Sequence, residues 1–168
     1  MEMQSLYLVR HAIAFERGQE WPDDAKRSLT HKGAARMREV IDGLLELGVE
    51  IDLVITSPLV RAKQTADLMI AGWPESPALV VSPALSPGAA PSAVTDVLSQ
   101  HTRANGIALV GHEPALGELG AWLIGARHPL VFKKSGVARI DVPATPIGGA
   151  GVLVWLATPK MLRQLSRA

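Results

Sequence analysis

Two apolar runs that each end in a histidine constrain this chain more than any other feature. One is Leu8-Val9-Arg10-His11-Ala12 near the start; the other, about a hundred residues on, is Leu109-Val110-Gly111-His112-Glu113-Pro114. Continuous apolar runs of this length read as strands buried on both faces of a sheet. Open α/β sheets take their ligands outside the carboxyl ends of their strands. Two such strands in one sheet would therefore bring His11 and His112 to one crevice, whatever their separation along the chain.

The rest of the chain alternates helical and strand patterns. Ser5 to Val9 reads as the first strand, and Ala14 to Ser28, which mixes Glu16, Gly18, Trp21, Pro22 and Asp23-Asp24, as an irregular surface segment. Thr30 is placed to cap a helix in which Ala34, Met37, Val40, Ile41, Leu44 and Leu45 recur at helical spacing up to Gly48. Ile51 to Thr56 is a second strand, and Ser57-Pro58 has the cap and first-turn signature of a helix running to about Ile70. Leu79 to Val81 is a short strand, followed by the loop Pro83 to Pro91 and a modest helix over Ser92 to His101. Gly106 to Gly111 reads as a central strand, and Pro114 opens a helix with Leu116, Leu119, Trp122 and Leu123 facing inward. Gly136 to Val142 and Gly151 to Leu156, separated by a Pro/Gly-rich connection, read as a hairpin or two neighbouring strands without an intervening helix, and Thr158-Pro159 caps a short basic helix. The expected class is α/β, with a mostly parallel sheet covered on both faces and a mixed edge.

Composition narrows the function classes. The 168 residues suit one domain, 1–168, and 17 basic against 16 acidic residues leave a formal charge of +1 with no basic block, so no nucleic acid partner is expected. The absence of cysteine removes disulfides and thiolate chemistry and is compatible with a cytoplasmic protein. No apolar stretch approaches the roughly 20 residues that span a membrane, and Arg10-His11 interrupts the first apolar run too early for a signal peptide. No membrane partner is expected.

Arg10, His11, Arg61 and His112 are the residues this arrangement would gather. Two arginines supply planar donor forks suited to phosphate oxygens, and a neutral imidazole among them is a reasonable nucleophile. Taken singly, a histidine after a strand is more often a hydrogen-bonded loop residue, and spacing alone leaves phosphoryl transfer and plain ligand binding both open. A metal site is not expected, because no H-x-x-x-H or H-E-x-x-H pair and no cysteine exists. His31, His101 and His128 lie in polar or turn surroundings and receive no role.

Four ordered segments carry a resemblance. Val9-Arg10-His11-Ala12, Leu29-Thr30-x-x-Gly33-x-x-Arg36, Ser57-Pro58-x-x-Arg61-Ala62-x-Gln64-Thr65-Ala66 and Val110-Gly111-His112-Glu113-Pro114 resemble the histidine phosphatase, or phosphoglycerate mutase-like, superfamily. Phe132-Lys133-Lys134-x-Gly136-Val137 and the Val154-Trp155 strand are similar to its small SixA-like phosphohistidine phosphatases. The resemblance implies a three-layer α/β/α sandwich with its site over the C-terminal edge of the sheet, and no cofactor. It makes His11 the phosphorylated nucleophile and Arg10, Arg61 and His112 the other members of a phosphate pocket. Ser57 is a weaker candidate for a phosphate contact, and Glu113 a candidate proton donor that could instead serve the helix beginning at Pro114. Ala12 stands where many members of the superfamily have Gly, a change common in the SixA-like group.

Mutase-type and many phosphomonoesterase members carry an acid in the loop corresponding to 82–93, which has no Asp or Glu in this chain. Glu16, Asp23 and Asp24 are further acids that could approach the site. Only 46 residues (66–111) separate Thr65 from His112, too few for a large lid. The expected function is thus metal-independent removal of phosphate from protein phosphohistidine. The alternatives are a small-molecule phosphomonoesterase, acting on sugar phosphates or an α-ribazole phosphate, and a noncatalytic phosphate- or polyphosphate-binding module. Lys133, Lys134, Lys160, Arg163 and Arg167 are the feature that would suit a polyanion.

Overall fold

A computed structural model describes residues 2–167. Six strands form one sheet: β1 (Met3–Arg10), β2 (Leu53–Thr56), β3 (Ala78–Val81), β4 (Gly106–Gly111), β5 (Val137–Pro143) and β6 (Val152–Ala157), in the spatial order β3-β2-β4-β1-β5-β6. The first four are mutually parallel. β5 runs antiparallel to β1, and β6 antiparallel to β5 with a bulge at Arg139/Ile140. The two late strands thus pair directly, as strands joined without a helix must. Five helices complete the fold: α1 (His31–Glu46), α2 (Val60–Gly72), α3 (Pro91–Leu98), α4 (Ala115–Ile124) and α5 (Pro159–Leu165).

The period of two along β1 builds both cores at once. Tyr7 and Val9 point to one face, where they meet Met37, Val40, Ile41 and Leu44 of α1, Ala62, Ala66 and Met69 of α2, and Leu162 of α5. Leu6 and Leu8 point to the other, against Val94 and Leu98 of α3 and Leu116, Leu119 and Leu123 of α4. The result is a helix–sheet–helix sandwich with β1 and β4 buried at its centre and β3 and β6 as exposed edges. No described helix is long and apolar enough to cross a membrane.

Several element ends differ from the sequence reading for definable reasons. α2 begins at Val60 with Leu59 as its cap residue, not at Ser57. The Ser57 N–H still donates to the Val110 carbonyl at 3.0 Å, so Ser57 extends the strand ladder, and its hydroxyl accepts from the Leu59 N–H at 3.2 Å to turn the chain. Trp122 does not face the core. It lies at the flank of the α4 stripe, 38% exposed, with its indole against Gly148 of the loop before β6. The segment before α1 contains a single 3-10 turn, Asp24–Lys26. Thr30 does cap α1, its hydroxyl accepting the Gly33 N–H at 2.9 Å.

That cap is also the point where α1 is pressed against the strand-end segment. The Thr30 N–H donates to the Ile13 carbonyl at 3.1 Å, and a Cβ on Gly33 would collide with that same carbonyl oxygen. Gly33→Ala is expected to destabilise the protein by about 1–3 kcal/mol, because backbone rather than a flexible side chain must yield. Substitution of the exposed neighbour, Lys32→Ala, should stay within about 0.5 kcal/mol. Urea denaturation midpoints of the two variants check the contrast.

Candidate active site

The parallel ladder continues past the ends of the strands. β1 pairs with β4 in the register Ser5↔Gly106 to Arg10↔Gly111, and one step on, the His11 N–H donates to the Gly111 carbonyl at 3.0 Å. His11 and His112 consequently leave adjacent strands at one level, with ring centroids 5.2 Å apart and planes inclined at 54°. Arg10, His11, Arg61, His112 and Glu113 line one cavity of about 270 Å³, together with Glu16, Arg17, Arg27, Pro87 and Lys134. Ser57 is not in that lining; it stands behind His112, with Oγ 2.8 Å from Nε2.

Each residue is held from behind. The Ala12 N–H donates to Thr65 Oγ at 3.0 Å, and that hydroxyl donates to the Arg61 carbonyl at 2.8 Å. Gln64 accepts the Leu29 N–H at 2.8 Å, so adjacent side chains of α2 fasten two different segments around the cavity. Arg10 Nη1 donates to the Phe132 carbonyl at 2.7 Å, and the Ser135 N–H donates to the Arg10 and His11 carbonyls at 3.1 and 3.2 Å. Glu113 turns toward backbone: Oε1 accepts the Gly117 N–H in the first turn of α4 at 2.8 Å, and Oε2 accepts the Phe132 N–H at 3.4 Å. It therefore steadies the residue whose carbonyl holds Arg10.

His11 Nδ1 lies 2.7 Å from the Ala12 carbonyl. A carbonyl only accepts, so Nδ1 carries the proton and the lone pair resides on Nε2. Burial lowers the His11 pKa to about 4, with further lowering from the charges of Arg61, Arg10 and Lys134 and partial opposition from the Ala12 hydrogen bond. His112 is lowered to about 3, first by burial and then by His11 and Arg61. Both imidazoles are neutral at physiological pH. Arg61 is 2% exposed, and its Nη1 and Nη2 donate to the Asp24 carbonyl and to Asp24 Oδ2 at 2.9 and 3.1 Å.

Three buried nitrogens at this cavity have no partner: Arg10 Nε, Arg61 Nε and His112 Nδ1. Buried polar groups are normally satisfied, and a cluster of orphans in a cavity lined by four arginines and a lysine is suited to a small oxyanion. Among the described residues, no group of three His, Cys, Asp or Glu gathers to hold a metal ion. The sequence reading did not assign roles to Arg17 or Arg27, took Lys134 only as part of a basic feature that would suit a polyanion, and did not see Asp24 as an arginine partner. An Asp–Arg pair three residues apart in an irregular segment carries no signal of its own. Pro87 is the cavity-lining residue from the acid-free 82–93 loop, and the acids of the lining are Glu16 and Glu113.

Residues 6–86 match the model of the histidine phosphatase superfamily (branch 1). An uncharacterized protein of Picosynechococcus is 34% identical over 163 residues, covering 94% of this chain and 98% of the relative. The phosphohistidine phosphatase SixA of Escherichia coli is 28% identical over 163 residues, covering 94% and 96%. A solved structure of the protein histidine phosphatase SixA complexed with tungstate superposes with a TM-score of 0.84 at 26% identity, covering 95% of this chain and 99% of that one. The ordered motifs, the sandwich and these full-length likenesses agree, and the chain belongs to the histidine phosphatase superfamily, in its SixA-like group.

Proposed function

We propose that this protein hydrolyses phosphohistidine on proteins through a covalent intermediate on His11. The observation that carries the reading is the coincidence of an unprotonated, buried His11 Nε2 with three unpartnered nitrogens on Arg10, Arg61 and His112 around one cavity. The tungstate held by the SixA relative is a tetrahedral oxyanion of the kind these groups suit. Each hydrogen bond from a charged group to such an anion contributes about 1.5–3 kcal/mol.

In the first step the Nε2 lone pair attacks phosphorus while the N–P bond of the substrate breaks, and its electron pair returns to the substrate imidazole. His11 becomes a phosphorylated imidazolium whose Nδ1–H donates to the Ala12 carbonyl. Water then attacks phosphorus, the bond to His11 breaks, and both water protons leave on inorganic phosphate. His11 regains its neutral form. Arg10 and Arg61 offset the charge on the oxygens throughout, which is the task a divalent cation would otherwise perform.

The carboxylates favour this substrate class. Glu113 is engaged with two backbone N–H groups, Glu16 is exposed, and the 82–93 loop offers no acid. Expulsion of an alkoxide profits from a general acid by about 10²–10⁴-fold. Transfer from one imidazole to another does not need it: one N–P bond replaces another, and the departing ring can arrive already protonated on its second nitrogen.

His11→Ala is expected to abolish turnover, and ³²P from labelled substrate should be trapped on His11 of the wild type; label on another residue contradicts the intermediate. On phosphohistidine protein, p-nitrophenyl phosphate and alkyl metabolite phosphates, kcat/KM should fall in that order, with or without EDTA. A wild type faster on an alkyl phosphate than on phosphohistidine is instead a metabolite phosphatase, and one that binds phosphate without turnover is a binding module.

The neutral histidines also set a pH dependence. Their folded pKa values, about 4 for His11 and about 3 for His112, lie below the unfolded value near 6.5. Below that value the unfolded chain binds protons that the native state refuses, so stability rises with pH across the window. The contribution is complete above about pH 6.5 and is lost as pH falls through 4 toward 3. Denaturation midpoints between pH 7 and 4 should decline less steeply in His11→Ala than in the wild type.

A further inference from the structure

Arg61 is the largest of the fully buried side chains, yet its counter-ion comes from outside its own helix. Asp24 grips it twice, with the main-chain oxygen on Nη1 and Oδ2 on Nη2. The other carboxylate oxygen, Oδ1, accepts from Arg27 Nε at 3.0 Å and lies 3.3 Å from Arg17 Nε. Arg27 in turn donates Nη1 to the Phe15 carbonyl at 2.7 Å, tying the carboxylate into the segment that leaves the sheet after Ala14 and returns at Leu29. One half-exposed carboxylate thus holds together three guanidinium groups of the cavity wall.

A long arginine side chain has several rotamers to lose, and its use as a fork depends on the orientation of its plane. Two contacts to a single residue fix that plane and leave Nε buried and unpartnered in a cavity-lining side chain. We propose that Asp24 is a positioning residue, whose carbonyl and carboxylate set the Arg61 guanidinium in the plane from which it meets a tetrahedral oxyanion. The proposal rests on the oxyanion reading of the cavity. It also carries its own counterweight, since Asp24 adds a negative charge near the anion.

Those two effects have opposite signs, so one substitution separates them. If Asp24 merely repels the anion, Asp24→Asn tightens binding. If it orients Arg61, Asp24→Asn weakens binding, and only while Arg61 is present. Orthovanadate binding should be measured by calorimetry in the wild type, Asp24→Asn, Arg61→Ala and the double variant. The expected result is an increase in Kd of roughly tenfold for Asp24→Asn in the wild-type background, the scale of one charge-assisted hydrogen bond. In the Arg61→Ala background the same change should leave Kd within about twofold or lower it, a non-additivity reserved for coupled residues.

Unchanged or tighter binding by Asp24→Asn, or equal weakening in both backgrounds, overturns the proposal. Vanadate binding by the wild type with no response to Asp24→Asn removes the positioning role alone, whereas no binding by the wild type removes the oxyanion reading with it. Should the asparagine variant not fold, Asp24→Glu keeps the charge and displaces the carboxylate by a methylene. It should weaken vanadate binding only where Arg61 is present, and equal affinity to wild type overturns the proposal.

Discussion

Parallel pairing of β1 with β4, in a register that carries on to the His11 N–H and the Gly111 carbonyl, is the constraint on which the site depends. A slip of one residue would do more than separate the two imidazoles. It would exchange the faces of Leu6, Tyr7, Leu8 and Val9 and so invert both cores, because side chains alternate along a strand. The cost of that inversion protects a geometry that the site residues alone do not enforce. Packing of Tyr7 and Val9 against α1, α2 and α5, and of Leu6 and Leu8 against α3 and α4, is therefore what brings the histidine rings to 5.2 Å.

The second determinant is electrostatic. Burying an arginine without a partner is costly, and this chain buries Arg61 and Arg27 within one wall. Asp24 offsets both. Its own partial burial would raise its pKa, but the hydrogen bond from Arg27 and the charges of Arg61, Arg27 and Arg17 outweigh that and hold it below the ordinary value. One carboxylate serving several guanidiniums leaves the wall positive, and that excess, added to desolvation, keeps His11 and His112 neutral. The positive wall on which the proposed oxyanion reading rests is then the same feature that keeps a lone pair on the His11 ring.

Much of this was legible in the sequence, and the reasons are specific. Long periodic segments such as Ala34 to Leu45 identify a helix because burial on one face leaves a pattern. Gly106 to Gly111 identifies a central strand because burial on both faces leaves an unbroken apolar run. Arg10, His11, Arg61 and His112 line one cavity because each sits at an element end whose position the sheet dictates. What did not show was whatever depends on approach between irregular segments. Asp24 reaches Arg61 across 37 positions from a single 3-10 turn. Ser57 has the signature of a helix cap, but the strand ladder claims its backbone. Trp122 keeps helical spacing with Leu119 and Leu123, yet a loop packs against it and leaves it partly exposed.

Glu113 illustrates why residue type and proximity do not assign chemistry by themselves. It adjoins His112 and lines the cavity, which are the credentials of a proton donor. Its oxygens are aimed at Gly117 and Phe132 N–H groups, the first an otherwise unpaired donor at the start of α4, where a carboxylate is favoured. The acid nearest in sequence is in this way committed to the scaffold that fixes Arg10. With Glu113 turned to backbone, cations and neutral imidazoles dominate the cavity lining, and on the proposed reading they act on the phosphoryl group more than on the group that leaves it. A leaving group that departs as a neutral imidazole from a nitrogen–phosphorus bond is, on that reading, the one with least need of a proton donor from this site.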